Sequence, residues 1–259
     1  MYTEQFLRKG LKTRLFGNKI YTFNSVDSTN NCARAVADCG APEGTVVVTE
    51  EQTAGRGRLG RQWLAEPNQN LMFSLLLRPN VSPEMLNLLP LYVAVAVSEA
   101  IERATGLSVE CKWPNDILFK GKKIAGILIE GSVKKNLVEY VVIGIGINVN
   151  QVKFPGDLLA KASSLKLECQ KEFDRAVLFR EALKSLEDEY AVVSSTGFQS
   201  VVPQWLTRST MINQTISVNQ QVNIISGVVK GLSSNGGLIL ETNGIEHTVL
   251  AGDVSVLQA

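Results

Sequence analysis

The sequence predicts a mixed α/β (α+β) fold in two pieces: a larger part, residues 1–208, built on a mixed sheet, and a small all-β part, 209–259. Three features point there. In the first part, apolar runs of strand length alternate with helix-length amphipathic stretches. From Val109 onward the links between runs are too short to hold a crossover helix, so neighbouring strands pair mainly antiparallel rather than as βαβ units. Near residue 209 the texture changes, and 209–259 carries only four charged residues: Lys230, Glu241, Glu246 and Asp253.

Ser28 and Thr29 precede NNCARAVADCG and are placed to N-cap a helix that stops at Gly40. Residues 45–52 (TVVVTEEQ) and 70–78 (NLMFSLLLR) read as strands, the second largely buried. Pro83 suits a first helical turn and opens an apolar helix to about Thr105, with Gly106 as its C′ residue. Strands follow at 109–113, 117–121, 122–133 and 137–150, then an amphipathic helix at 172–192. In the tail, 215–218, 221–229, 236–241, 245–250 and 253–257 read as five short strands. Asn235-Gly236 and Asn243-Gly244 are hairpin signals between them. Five strands in so short a piece suggest a small SH3-like barrel; the alternative is that they complete the main sheet.

Composition bounds the chemistry. With 45% apolar and 20% charged residues in 259, the chain has the balance of a globular protein. Its net charge of +1 disfavours nucleic-acid binding by bulk charge. There is one histidine, His247, so a histidine triad or a multi-imidazole metal site would depend on it alone. Lys, Arg, Asp and Asn are left to carry the chemistry. Cysteines at 32, 39, 111 and 169 show no C-x-x-C spacing, which fits a reducing compartment. The N-terminus has no apolar signal core, and the uncharged run 85–98 is too short to span a bilayer. A cytoplasmic protein with no membrane partner is expected.

Two segments concentrate the chemistry. Gly55, Gly57 and Gly60 form a G-x-G-x-x-G, but the segment runs into another strand rather than opening a helix, as a dinucleotide fingerprint would. It also carries Arg56, Arg58 and Arg61 within six residues. Guanidiniums this close repel unless anions lie between them, and glycine lets backbone wrap closely around a ligand. A loop closing over a phosphate chain competes here with a solvated basic turn. Trp63 either stacks on a base or packs in the core.

The second segment is Lys112-Trp113-Pro114-Asn115-Asp116. A turn at Gly121 and a returning strand would set Asp116 opposite Lys123 across a hairpin; the bland reading is a lysine-rich edge that keeps the sheet soluble. Gly144 and Gly146 mark either close approach of a ligand or a tight turn. Ser28, Thr29 and Asn30 taken alone are a helix cap.

In their order and spacing, Asp27-Ser28-Thr29-Asn30, Gln52 with GRGRLGR and Trp63, KWPNDI, KKIAGILIE and GIGINVN together resemble the biotin–protein ligase family, from about residue 22 to 150. The tail extends the resemblance over nearly the whole chain. It implies a catalytic domain related to class II aminoacyl-tRNA synthetases plus an SH3-like C-terminal domain. It also implies a two-step reaction, in which ATP and biotin give biotinyl-5′-AMP and then a lysine of a biotin carboxyl carrier protein domain, as in acetyl-CoA carboxylase, takes the biotin. Displacements of this kind need positioning and charge neutralisation more than a histidine base.

The resemblance assigns Ser28, Thr29, Asn30 and Gln52 to biotin, and Arg56, Gly57 and Arg58 to a loop over its carboxylate and the α-phosphate. Arg61, Trp63, Lys112, Asn115 and Asn148 fall to ATP and the adenylate. Lys123, with Arg58, stabilises charge in the first step, and Asp116 orients the acceptor lysine. No protein metal site is implied; magnesium is expected to arrive on ATP. Some family members begin with a helix-turn-helix domain, but only about 26 residues precede Asp27 here, so no repressor role and no nucleic-acid partner are expected. A lipoate-transferring ligase and a non-catalytic binding regulator are the rival readings. The residues leave the oligomeric state open, a homodimer included.

Overall fold

The computed structural model describes residues 2–220 and 223–256. Helix α1 (Glu4–Arg8) is followed by strand β1 (Ile20–Val26), helix α2 (Thr29–Asp38) and strand β2 (Val46–Gln52). β1 and β2 are parallel, from Ile20↔Val46 to Val26↔Gln52, with α2 as the crossover. One βαβ unit therefore exists in a sheet expected to be mainly antiparallel. Strand β1 has no counterpart among the expected strands because IYTFNSV has no clean alternation and is largely half-buried or exposed.

Next come β3 (Leu71–Leu77), α3 (Leu89–Thr105), β4 (Glu110–Lys112), β5 (Asp116–Phe119), β6 (Lys122–Lys134) and β7 (Leu137–Ile147). Helices α4 (Leu165–Cys169), α5 (Arg175–Thr196) and α6 (Val201–Thr207) lead to β8 (Thr215–Asn219), β9 (Ile224–Leu232), β10 (Leu238–Thr242), β11 (Ile245–Val249) and β12 (Asp253–Val256). The first seven strands make one mixed sheet in the order β1-β2-β3-β7-β6-β5-β4. Every pair in it except β1 with β2 is antiparallel.

Two helix starts depart from expectation. Pro83 opens a 3-10 stretch, Pro83–Leu88, and α-geometry begins only at Leu89. The end is as expected: Gly106 is left-handed (φ 77°) and its N–H donates to Glu102 O at 2.8 Å. Ser28 holds the N-cap position of α2, but its hydroxyl makes no cap bond. Asp27 Oδ1 instead accepts the Ser28 N–H (2.6 Å), and Gln52 Oε1 accepts the Thr29 N–H (2.9 Å). These bonds satisfy helix-start donors and leave Ser28 free to line a pocket.

Alternation along the strands sorts the two faces of the sheet. On β7, Val141, Ile143, Ile145 and Ile147 join the main core with α3 and α5. Tyr140 and Val142 pack instead with Ala33 and Ala37 of α2. The next residues on that second face are Gly144 and Gly146, so the apolar layer under α2 stops and a hollow begins. The long apolar helix α3 is the centre of the main core, with Leu89, Leu91, Tyr92 and Val93 fully buried.

The last five strands form a separate antiparallel sheet in the order β11-β10-β9-β8-β12. Its end strands β11 and β12 are not paired with each other among the described residues. The expected strand residues 221–222 and 257 lie outside those described. Trp113, 2% exposed, ties this sheet to the first by donating from Nε1 to Gly236 O at 3.0 Å.

Candidate active site

Gly126 on β6 and Gly146 on β7 are direct partners, and Gly144 lies two residues along the same strand. A Cβ on Gly144 would stand 2.3 Å from Asn30 Oδ1, and one on Gly146 would stand 2.5 Å from the Trp63 ring. The glycines thus clear a floor on which Asn30 and Trp63 lie directly against backbone. Neither Gly144 nor Gly146 sits in a tight turn, and what approaches them in this structure is the chain's own Asn30 and Trp63.

Around this floor is a cavity of about 720 Å³. Every residue that the resemblance assigns to biotin, ATP or catalysis lines it: Ser28, Thr29, Asn30, Gln52, Arg56, Gly57, Arg58, Arg61, Trp63, Lys112, Asn115, Asp116, Lys123 and Asn148. They come from α2, β2, the 55–63 loop, the β4–β5 turn, β6 and the end of β7. His247 sits on β11, exposed and away from the cavity.

One end is polar and densely hydrogen-bonded. Gln52 Oε1 accepts from both the N–H and the hydroxyl of Thr29 (2.9 and 3.2 Å). The Ser74 hydroxyl, fully buried on β3, lies 2.7 Å from Thr29 Oγ1 and 2.6 Å from Asn30 Oδ1. Asn30 Nδ2 donates to Glu130 Oε2 at 2.7 Å. Ser74 and Glu130 are not among the site residues the motifs point to. A signal is nonetheless present for Ser74, the one polar residue of the apolar run LMFSLLL, and Glu130 closes the apolar run IAGILI.

The glycine–arginine segment is a small hairpin. Gly57 N–H donates to Arg61 O (2.7 Å) and Trp63 N–H to Gly55 O (3.0 Å). Leu59 (φ 54°) and Gly60 (φ 74°) make the left-handed tip. A Cβ on Gly55 would meet Trp63 O at 2.5 Å, so only glycine fits where the hairpin closes. The three guanidiniums are each held by an acceptor of the chain. Arg56 pairs with Glu130 at 2.8 Å, and Arg61 pairs with Asp253 of β12. Arg58 donates to Asn115 Oδ1 (3.2 Å) and Gly252 O (3.4 Å). Burial pulls Arg58 below its ordinary pKa, against the opposing pull of Asp253 and Asp116. A desolvated guanidinium gains the most from an anion placed beside it.

Gly252–Ser255 therefore bring the second sheet to the site, and Asp253, Val254 and Ser255 line the cavity. No sequence motif marks them, because the contact joins residues nearly 200 positions apart.

Opposite the arginines, the β5–β6 hairpin carries Lys123 back to Asp116. Lys123 Nζ stands 2.6 Å from Asp116 Oδ1 as an ion contact rather than a directed hydrogen bond. Lys112 is the cross-strand partner of Asp116, so both flank one wall. Two asparagines brace this wall. Asn115 donates to Ile127 O (2.6 Å) and accepts from Arg58, while Asn148, 3% exposed, donates to Ser163 O (3.0 Å) and Lys123 O (3.4 Å). Both amides serve protein groups in this arrangement. Among the described residues no cluster of three or more His, Cys, Asp or Glu could hold a metal ion.

A cavity with a hydrogen-bonded polar end, three arginines on one rim and a lysine–aspartate pair on the other can hold a polar ring and a chain of anionic groups together. Comparison with known proteins identifies the group. The Biotin/lipoate A/B protein ligase family matches residues 22–148, and the Biotin protein ligase C terminal domain matches residues 211–257. The bifunctional ligase/repressor BirA of Bacillus subtilis (strain 168) is 36% identical over 256 residues, 98% of this chain and 79% of that protein. The biotin–[acetyl-CoA-carboxylase] ligase of Paracoccus denitrificans is 32% identical over 234 residues, 88% of this chain and 96% of that one. The solved biotin protein ligase from Aquifex aeolicus in complex with biotin and ATP aligns with a TM-score of 0.80 at 30% identity, over 93% of this chain and 100% of that one. On these matches and this site, the chain belongs to the biotin/lipoate A/B protein ligase family, as one of its biotin–protein ligases.

Proposed function

We propose that the chain activates biotin with ATP and transfers it to a lysine of a biotin carboxyl carrier domain, as in acetyl-CoA carboxylase. In the first step a biotin carboxylate oxygen attacks the α-phosphorus, the bond to the β-phosphate oxygen breaks, and pyrophosphate leaves. In the second the acceptor amine attacks the acyl carbon of biotinyl-5′-AMP, the acyl–oxygen bond breaks, and AMP leaves. The observation that carries this reading is the single cavity that joins the hydrogen-bonded end at Ser28, Thr29, Asn30 and Gln52 to the arginine hairpin and to Lys123.

The polar end suits biotin's ureido ring and chain. Arg56, Gly57 and Arg58 would cover the carboxylate and α-phosphate, with Lys123 supplying positive charge from the facing wall. Arg61 would leave Asp253 for the ATP phosphates, and Trp63 would offer its ring to the adenine side. Lys112 would contact the nucleotide, with Asn115 and Asn148 bracing it through the wall they hold. Asp116 neutralises Lys123 in this structure, so orienting the acceptor lysine requires that pair to open. The cavity's carboxylates, Asp116 and Asp253, are each paired with a cation, so magnesium would enter on ATP rather than in a protein cage. The proposal takes 1–208 as the catalytic domain, 209–259 as an SH3-like domain, and the cytoplasm, where ATP is available, as the location.

The test incubates the protein with ATP, magnesium, a carrier domain and either labelled biotin or labelled lipoate. Transfer of biotin to one carrier lysine is expected. Preference for lipoate overturns the substrate, and transfer of neither overturns the enzyme reading.

A further inference from the structure

Glu130 joins the polar end of the cavity to the arginine hairpin. Its Oε2 accepts from Asn30 Nδ2 at 2.7 Å and from Arg56 Nη2 at 2.8 Å. Its Oε1 accepts from Arg34 Nη2 of α2 at 2.9 Å. Asn30 is fixed from its other side by Ser74, which lies 2.6 Å from Asn30 Oδ1. A line of hydrogen bonds thus runs from β3 through α2 and β6 into the hairpin: Ser74, Asn30, Glu130, Arg56.

Arg56 is held by one corner only. Its Nη2 is spent on Glu130, while its Nε is shielded from solvent and has no hydrogen-bond partner. A shielded guanidinium N–H without an acceptor is costly, so the geometry has a further anionic acceptor to gain. Arg34 occupies the outer oxygen of Glu130, which offsets the carboxylate's charge beside an anionic substrate.

We propose that Glu130 is a positioning residue of the ligase reaction, presetting Arg56 and the hairpin that carries it for the carboxylate of the acyl substrate. The inference rests on the function proposed above and names a residue that acts on substrate only through Arg56. A carboxylate is required. A glutamine offers one acceptor oxygen where three donors converge, and its NH₂ group would face guanidinium N–H groups.

The test compares the full chain with its Glu130→Gln, Glu130→Asp and Arg34→Gln variants in biotin-dependent pyrophosphate release, and in trypsin cleavage after Arg58 and Arg61. Glu130→Gln is expected to raise the KM for biotin about tenfold, the loss of one charge-assisted hydrogen bond, with the KM for ATP and the Tm unchanged. Its hairpin should be cut faster, Glu130→Asp should recover part of both effects, and Arg34→Gln, which leaves Glu130 Oε2 to Arg56, should raise the biotin KM by less than Glu130→Gln and leave the cleavage rate unchanged. A folded Glu130→Gln with wild-type biotin KM and cleavage rate overturns the proposal, as does an equal loss in every parameter with a lowered Tm. If Glu130→Gln does not fold, Glu130→Asp decides on the same two readouts. A wild-type chain that releases no pyrophosphate with biotin or lipoate overturns the proposed function instead. The cleavage comparison, which needs no turnover, still tests the Glu130–Arg56 link.

Discussion

Lys123 Nζ lies 2.6 Å from Asp116 Oδ1 and 5.5 Å from the centroid of the Trp63 ring. One ammonium is therefore shared between a carboxylate on its own hairpin and an aromatic ring from the arginine segment, on the wall of the cavity. The β5–β6 register brings the ion pair together, with Leu118 opposite Lys123 and Gly126 opposite Asp116.

Removing that charge should stop adenylate formation. Lys123→Ala is expected to slow biotin-dependent pyrophosphate release by about 100-fold or more, the scale of losing one fixed donor to developing charge. Circular dichroism should show the fold intact. A normal rate would take Lys123 out of the chemistry.

Gly146 is a packing requirement with an optical readout. An alanine Cβ there would meet Trp63 Cε2 at 2.5 Å and Cζ2 at 2.6 Å. Gly146→Ala should push the indole off the sheet, shift tryptophan emission to the red, and cost roughly 1–3 kcal/mol by overpacking. Gly231→Ala is the control, since nothing lies within 4 Å of its Cβ position. It should be neutral or slightly stabilising.

The Arg61–Asp253 pair bridges the two sheets, yet it should contribute little to stability. Arg61 is 68% exposed, and pairs of this kind are worth at most about 1 kcal/mol. Asp253→Asn is expected to leave urea unfolding within about 1 kcal/mol of wild type, with the difference shrinking further in high salt. A larger loss would mean that the contact holds the second sheet in place.

Cys111 gives a pH-dependent test of the core. Burial pushes its thiol up to about 11 from the ordinary 9.0, so the folded state favours the protonated form. Its contribution to stability is full below pH 9.0 and is lost as pH rises toward about 11. Thiol alkylation at pH 8 should reach exposed Cys39 rapidly and Cys111 only on unfolding. Fast labelling of Cys111 in the native protein would contradict its burial.

Strongly patterned elements are legible in the sequence alone. β3 is apolar at nearly every position, α3 ends on a left-handed glycine, and the β5–β6 hairpin brings the Asp116 and Lys123 side chains together. Strand β1 is not legible, because a half-exposed edge strand carries no sharp alternation. The Ser28 side-chain cap is not realised: its hydroxyl makes no cap bond, and the helix-start bonds that do form run from the Ser28 and Thr29 N–H groups to Asp27 and Gln52. Trp63 is undecidable from its spacing, since stacking and core packing leave the same mark on a sequence.

By itself the sequence determined which side chains could do the chemistry: one histidine outside the motifs, three arginines among glycines, and a Lys-Asn-Asp segment ahead of Lys123. These are local facts of composition and spacing. Only the tertiary structure decided who neutralises whom. Arg56 finds Glu130 from 74 positions away, Arg61 finds Asp253 from 192, and Asn30 settles over a strand that could admit it only where Gly144 has no side chain. Sequence spacing does not encode such pairings, because they depend on the sheet order that brings distant strands together and on the room that missing side chains leave between them.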